Sequence, residues 1–159
     1  MVRRKTKKMT TKRKGRKIVN AKKKVVDGIT FQSILETQMY KLLKDANIKF
    51  GYESKVYNTL DGLQYPSECW ERARKNSKSM IDRRKVLGVK YTPDFVAEDE
   101  SWIIETKGRA NESFPIRWKL FKKLLMSKSK NTPIIFKPTN LTDCRQVIEI
   151  LLEKGYGQE

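Results

Sequence analysis

Two short apolar runs in this chain are each closed by a carboxylate. Residues 91–108 read YTPDFVAEDESWIIETKG: Asp94 precedes Phe95-Val96-Ala97, and Glu105 follows Trp102-Ile103-Ile104, with Lys107 two positions further on. Apolar runs of this length bounded by charge read as buried strands, and Glu98-Asp99-Glu100 reads as the turn between them. Strands are therefore expected over about 89–97 and 101–107. If they are neighbours, both acids come to one end of the sheet. Residues i and i+2 of a strand share a face, so Glu105 and Lys107 point together while Thr106 turns away. Pro93 fits a bend, or an edge that lacks a hydrogen bond.

The rest of the pattern surrounds this hairpin with helices. Phe31, Ile34, Leu35, Met39, Leu42 and Leu43 recur at helical spacing, predicting a helix over about 31–46 that ends at Asn47. A strand is expected over 48–57, with Gly51 and Glu53 on one face. Asp61-Gly62 marks a turn and Pro66-Ser67 a helix entry, so 68–84 reads as a charged helix bearing Trp70 and Met80. A helix over about 113–127, a short strand at 134–136 after Thr132-Pro133, and a last helix over about 140–154 complete the chain. The order α-β-(insert)-β-β-α-β-α implies an α/β protein with a mixed central sheet flanked by helices.

Charge narrows the partners. The 159 residues carry 36 Lys+Arg against 18 Asp+Glu, a net charge of +18. Such a field attracts polyanions, nucleic acid above all. Residues 1–27 hold thirteen Lys/Arg and one acid, and no apolar periodicity precedes Ile18, so a basic flexible arm is expected there, ahead of a folded domain over 28–159. The bland reading of the arm is a solubilising tail or a localisation signal. Within a basic insertion at about 58–90, residues 71–90 carry eight Lys/Arg against two acids, either a phosphate-contacting surface or a solvated helix. No apolar run approaches the ~18 residues of a spanning helix, and no signal peptide follows the basic start, which points to the cytoplasm.

The missing residue types narrow the chemistry. There is no histidine, and Cys69 and Cys144 form no metal-ligand spacing, so the usual zinc sites and the commonest general base are excluded. Hydrolysis would have to run on carboxylates, a lysine, or a water polarised by a metal. Mg²⁺ prefers one or two carboxylates, with water and substrate oxygens completing its shell. Asp94 and Glu105 would supply the carboxylates and Thr106 its main-chain carbonyl. Lys107 would hold or deprotonate a water, or balance charge, and Gly108 would let a phosphate approach.

The stretch YTPDF…IIETKG resembles the core of PD-(D/E)xK nucleases. Together with GITFQSILETQMYKLLKDANIKF it resembles, more narrowly, the phage endonuclease I family of Holliday-junction resolvases, over about half the chain. The resemblance implies a restriction-endonuclease-like core and a homodimer, with elements exchanged across a bridge around 56–66 or 86–92. It also implies branched double-stranded DNA as substrate, Mg²⁺ as cofactor with Mn²⁺ able to substitute, and the cytoplasm of a bacterial host. It assigns Asp94 and Glu105 as metal ligands, Lys107 as the catalytic lysine, and Glu36 as an aid to a second ion. By its residues alone, Glu36 is an exposed acid on an amphipathic helix. Where relatives carry a glutamate after Ile-Lys-Phe this chain has Gly51, and Glu53 either takes that place or is simply exposed. Phosphate contacts are expected from the arm and from Arg83, Arg84, Arg109, Arg117, Lys119 and Lys122. The alternatives are a sequence-specific or nicking nuclease on the same core, and a non-catalytic basic nucleic-acid-binding protein.

Overall fold

A computed structural model describes residues 23–76, 78–128 and 131–157, so most of the basic arm expected over 1–27 lies outside the described residues. The first element is a hairpin of β1 (Lys24–Val26) and β2 (Ile29–Phe31), turned at Asp27 and Gly28, both with positive φ. The boundary expected at 27/28 thus falls inside an element, and Phe31 belongs to a strand rather than to the helix. Helix α1 (Ile34–Asp45) starts after Ser33, whose hydroxyl accepts from the Glu36 N–H at 3.2 Å. That satisfies one of the donors a helix leaves open at its start.

The central sheet has the order β12 (Ile134–Phe136), β11 (Trp102–Ile104), β10 (Phe95–Ala97), β3 (Phe50–Tyr52). β11 runs parallel to β12, and β10 is antiparallel to both β11 and β3. The expected mixed sheet flanked by helices is therefore present. Alternation divides its core. Phe95, Trp102 and Ile104 pack with Met39 and Leu43 of α1 and with Val147 and Leu151 of α3 (Leu141–Glu153). Val96 and Ile103 face the other way, onto Trp118, Phe121 and Leu125 of α2 (Phe114–Lys128).

Two expected strands are shorter than their apolar pattern. The strand expected over 48–57 ends at Tyr52, because Glu53 takes φ 44° and turns the chain out of the sheet. The strand expected over 89–97 breaks at Pro93-Asp94 into β9 (Val89–Tyr91) and β10.

The largest correction concerns the insertion. Among the described residues of 68–84 no helix forms. Instead the chain runs out through β4 (Tyr57–Leu60), β5 (Leu63–Gln64) and β6 (Trp70–Arg72), and returns through β7 (Met80–Asp82), β8 (Lys85–Val86) and β9. The antiparallel pairs β4·β9, β5·β8 and β6·β7 follow one another as a single two-stranded ribbon. Pro66-Ser67 is no helix entry, and Asp61-Gly62 is a crossing point within the ribbon rather than a reversal. Solvent bathes both faces, so no apolar stripe marks either period in the sequence.

Candidate active site

The site lies where the β10–β11 ladder stops. Phe95 pairs with Ile104, which sets Asp94 opposite Glu105 at the end of the sheet. Both acids fall on the face of Val96 and Ile103, toward α2. The Glu105 and Lys107 N–H groups donate to Phe136 and Pro138 of the neighbouring strand, at 3.0 and 2.9 Å. By alternation the Thr106 N–H must face β10. The chain has turned away there, and the Asp94 carboxylate takes the place of a carbonyl: Oδ2 accepts from both Thr106 N and Thr106 Oγ1, at 2.6 Å each. Thr106 does not simply turn aside, as strand alternation had implied. Its side chain fixes Asp94.

Glu105 and Thr106 are buried and Asp94 is half-buried. Burial raises both carboxyl pKa values above the ordinary carboxylate range. The Asp94 charge pushes Glu105 further up, and the Glu36 charge adds to both. Thr106 and Lys107 pull the other way on Asp94. The Lys107 ammonium stands 3.9 Å from Glu105 Oε1 and 4.8 Å from the centroid of the Phe114 ring, so the expected common side of Glu105 and Lys107 is found. Glu105 Oε2 and the Tyr91 hydroxyl are buried and meet no partner in good hydrogen-bond geometry. The Tyr91 hydroxyl is still a loose donor toward the Glu105 carboxylate and lowers its pKa. Burial first, and the Glu105 charge second, drive the Tyr91 phenol upward.

Glu36 comes from the α1 side of the sheet. Its Oε2 accepts from the Gln32 N–H and the Tyr52 hydroxyl, each at 2.8 Å, so the buried acid closes the helix start as well as lending its charge. This is not the exposed acid of a simple amphipathic helix. Glu53 is exposed, and its N–H donates to the Asp94 carbonyl at 2.8 Å. A Cβ on Gly51 would meet Ser54 Oγ at 2.4 Å, so a side chain at 51 and Ser54 compete for one space. Gly108 is exposed, with only the Thr139 carbonyl 3.7 Å from a would-be Cβ.

The expected phosphate contacts divide into two groups. Arg83 and Arg84 lie on the ribbon, paired with Glu71 at 4.0 Å and Asp82 at 2.6 Å. Arg109, Lys119 and Lys122 are exposed on the α2 side. Arg117 donates to the Lys90 carbonyl at 2.7 Å and lies 5.7 Å over the Tyr91 ring, which brings its charge beside the site. The sequence reading missed Tyr91 and the Thr106 hydroxyl. Tyr91 sits in a separate strand from Asp94, so no periodic signal connects it to the acids.

Among the described residues, no three His, Cys, Asp or Glu side chains gather closely enough to hold a metal ion by themselves. No helix among them is long and apolar enough to cross a membrane.

The family described as "Protein of unknown function (DUF1064)" matches residues 16–137, a span that takes in Glu36, the ribbon, Asp94, Glu105 and Lys107. That is more than half of the chain, which belongs to this family. Nothing matches among curated proteins or among solved structures.

Proposed function

We propose that this DUF1064 member is a Mg²⁺-dependent, structure-selective DNA endonuclease that cuts branched DNA of the Holliday-junction type. The observation that carries the reading is the pairing of half-buried Asp94 with buried Glu105 across the end of the β10–β11 ladder, with the Lys107 ammonium beside Glu105. Junction selectivity and a homodimer rest on the resemblance to phage endonuclease I. A dimer suits a substrate in which two strands are cut at related positions.

The donor set fits a hard divalent ion. Buried Glu105 Oε2 lacks an aligned partner, and a carboxyl raised by burial and by the Asp94 charge is relieved by a cation between the two acids. Mg²⁺ commonly takes only one or two carboxylates, so the lack of a third close acid does not count against it. Asp94, Glu105 and the Thr106 carbonyl would hold it, with Mn²⁺ able to substitute and Glu36 aiding a second ion. When bound, such an ion supplies hydroxide near neutral pH and offsets charge on the phosphate.

The chain's own residues do the rest. Thr106 holds Asp94 in one orientation through two short hydrogen bonds. Lys107 orients the attacking water and neutralises charge as the new O–P bond forms and the bridging oxygen departs with a proton. Arg83, Arg84, Arg109, Arg117, Lys119 and Lys122, with the basic arm, draw in the phosphate backbone without reading sequence.

The test uses Asp94→Asn and Lys107→Ala on a synthetic four-way junction and on a linear duplex. Both variants should lose cleavage by at least about a hundredfold while binding survives on the basic surface. Retained cleavage in both would end the assignment. Cleavage of the linear duplex at a fixed sequence, with the junction ignored, would favour the sequence-specific alternative.

A further inference from the structure

The ribbon is anchored at its base and free beyond it. Tyr57 stands edge-on to Phe121 with centroids 5.0 Å apart, and Tyr91 stacks flat on the same ring at 4.4 Å. Outward from there, none of the described residues between Asn58 and Lys90 joins either apolar cluster. Base and distal ladder are separated by a register shift at Asn58/Leu60 and then by two facing glycines. A Cβ on Gly88 would meet the Leu60 carbonyl at 2.9 Å and the Gly62 nitrogen at 3.1 Å, and one on Gly62 the Val86 carbonyl at 3.1 Å. Only glycine lets the strands cross this closely, and such crossings bend and twist a ribbon.

The distal ladder exposes what a folded protein usually hides. Trp70 pairs with Asp82 and Arg72 with Met80, and alternate residues of a strand share a face, so Trp70, Arg72 and Met80 lie together with Asp82, whose charge Arg84 answers. Trp70 is 55% and Met80 54% exposed, and Leu63, Tyr65 and Val86 lie open nearer the base. An isolated two-stranded ribbon is marginal in water, so this face calls for a partner. Charge decides which. Residues 63–86 carry seven Lys/Arg and three acids; Arg83 matches Glu71, Arg84 matches Asp82, and Glu68 accepts from the Trp70 indole N–H. A surplus of four positive charges remains, so a second copy would set like charge against like, whereas a polyanion would neutralise it.

We infer that the distal ribbon, from Leu63 to Val86, is a grip for duplex DNA, laying the Trp70–Arg72–Met80 face into a groove beyond the cutting site. A two-stranded ribbon fits the major groove of B-DNA. The ten residues from Leu63 to Arg72 hold β5 and β6 with a bend between them, so their reach stays below the ~33 Å of a straight strand, within one helical turn. The cations meet phosphates, and the apolar pair meets base edges or wedges at a deformable step. The Gly62/Gly88 crossing lets the grip adjust to arms that leave a junction at different angles. The inference deepens the nuclease reading by naming how the substrate is held.

The test measures binding in EDTA, where no metal-dependent cutting can occur, so it stands or falls separately from that reading. The full chain is titrated with a fluorescein-labelled duplex of about three helical turns. Trp102 and Trp118 are buried, so DNA should quench chiefly the Trp70 emission. Trp70→Ala should remove that quenching and weaken binding about tenfold, with an unchanged melting temperature because the ribbon stands outside the core. Arg72→Ala removes little apolar surface, and should flatten the slope of log K against log salt by about 0.9. It carries the test should Trp70→Ala loosen the ribbon. Unquenched emission and unchanged affinity in both variants would overturn the inference. So would a loss of self-association on sedimentation with DNA affinity intact, since the ribbon would then pair with a second copy.

Discussion

Replacing Glu105 by glutamine should stabilise the metal-free protein at alkaline pH while abolishing its cutting. In the folded chain burial raises the Glu105 and Asp94 carboxyls, and Asp94 pushes Glu105 further. The folded pair therefore keeps protons that the unfolded chain has released, and stability falls as pH rises from the ordinary carboxylate range, near ~4, toward neutrality. Each retained proton costs about 1.4 kcal/mol per pH unit, so one proton held from about pH 5 to about pH 8 sets a ceiling of ~4 kcal/mol. The half-exposed setting of Asp94 and the cation of Lys107 reduce this to about 2 kcal/mol, or ~6 °C in melting temperature for a domain of this size. The window is clean because the chain has no histidine. Asp27, Asp82, Asp99 and Asp143 are held below the usual range by hydrogen bonds, so their contributions are lost only at lower pH. Thermal melts in EDTA, on protein without a histidine tag, should show wild type falling from pH 5 to pH 8, and Glu105→Gln falling only up to about pH 6, where Asp94 still titrates, then staying level above wild type. Mg²⁺ should close the gap by raising wild type alone. A flat wild-type profile, or a Glu105→Gln variant less stable at pH 8, would refute the account of a strained carboxylate pair.

Two other substitutions probe the frame around the site. Thr106→Val keeps the buried shape but removes a hydroxyl whose bond holds the Asp94 charge, so the acid limb of the cleavage–pH profile should move upward while the main-chain N–H bond preserves the fold. An unmoved limb would mean that Asp94 is set by its backbone alone. Gly157→Ala should cost about 2 kcal/mol or more, since φ is +86° and a Cβ would lie 2.5 Å from the Ala46 carbonyl. Gly28→Ala should cost only about 1 kcal/mol, because φ is +78° but nothing stands within 4 Å. Equal melting temperatures for the two glycine variants would show that backbone strain, not packing, sets the cost.

What could be read in advance follows burial. Phe95-Val96-Ala97 and Trp102-Ile103-Ile104 are buried on both faces, so their apolar runs mark strands whatever surrounds them. Helix α1 was legible from its apolar periodicity, but that pattern runs on into Phe31 of β2 and so sets the start too early; the Ser33–Glu36 cap marks the true one. The ribbon was not legible. Trp70-Glu71-Arg72 and Met80-Ile81-Asp82 are exposed throughout, so the alternation that identifies a half-buried strand is missing and dense charge resembles a solvated helix. The early end of the strand expected over 48–57 was missed for yet another reason: the left-handed φ of Glu53 is a demand of the turn, and a glutamate does not advertise it.

The way the sheet ends explains why its chemistry gathers there. A ladder that continued past Phe95 would consume the Thr106 N–H in a backbone bond and give Asp94 no role. Proline at 93 has no N–H to offer, so pairing lapses where the chain bends, and a carboxylate fills the vacancy with a bond stronger than the one it replaces. Glu105 lies buried beside this end, and its second oxygen has no aligned donor. Burying such a group is costly unless a cation answers it. A sheet that only had to be stable would close this end with apolar residues, as it does one layer inward at Val96 and Ile103. The acids at Asp94 and Glu105 therefore lower stability at a sheet end that leaves groups available to bind, as expected of a functional site rather than a structural one.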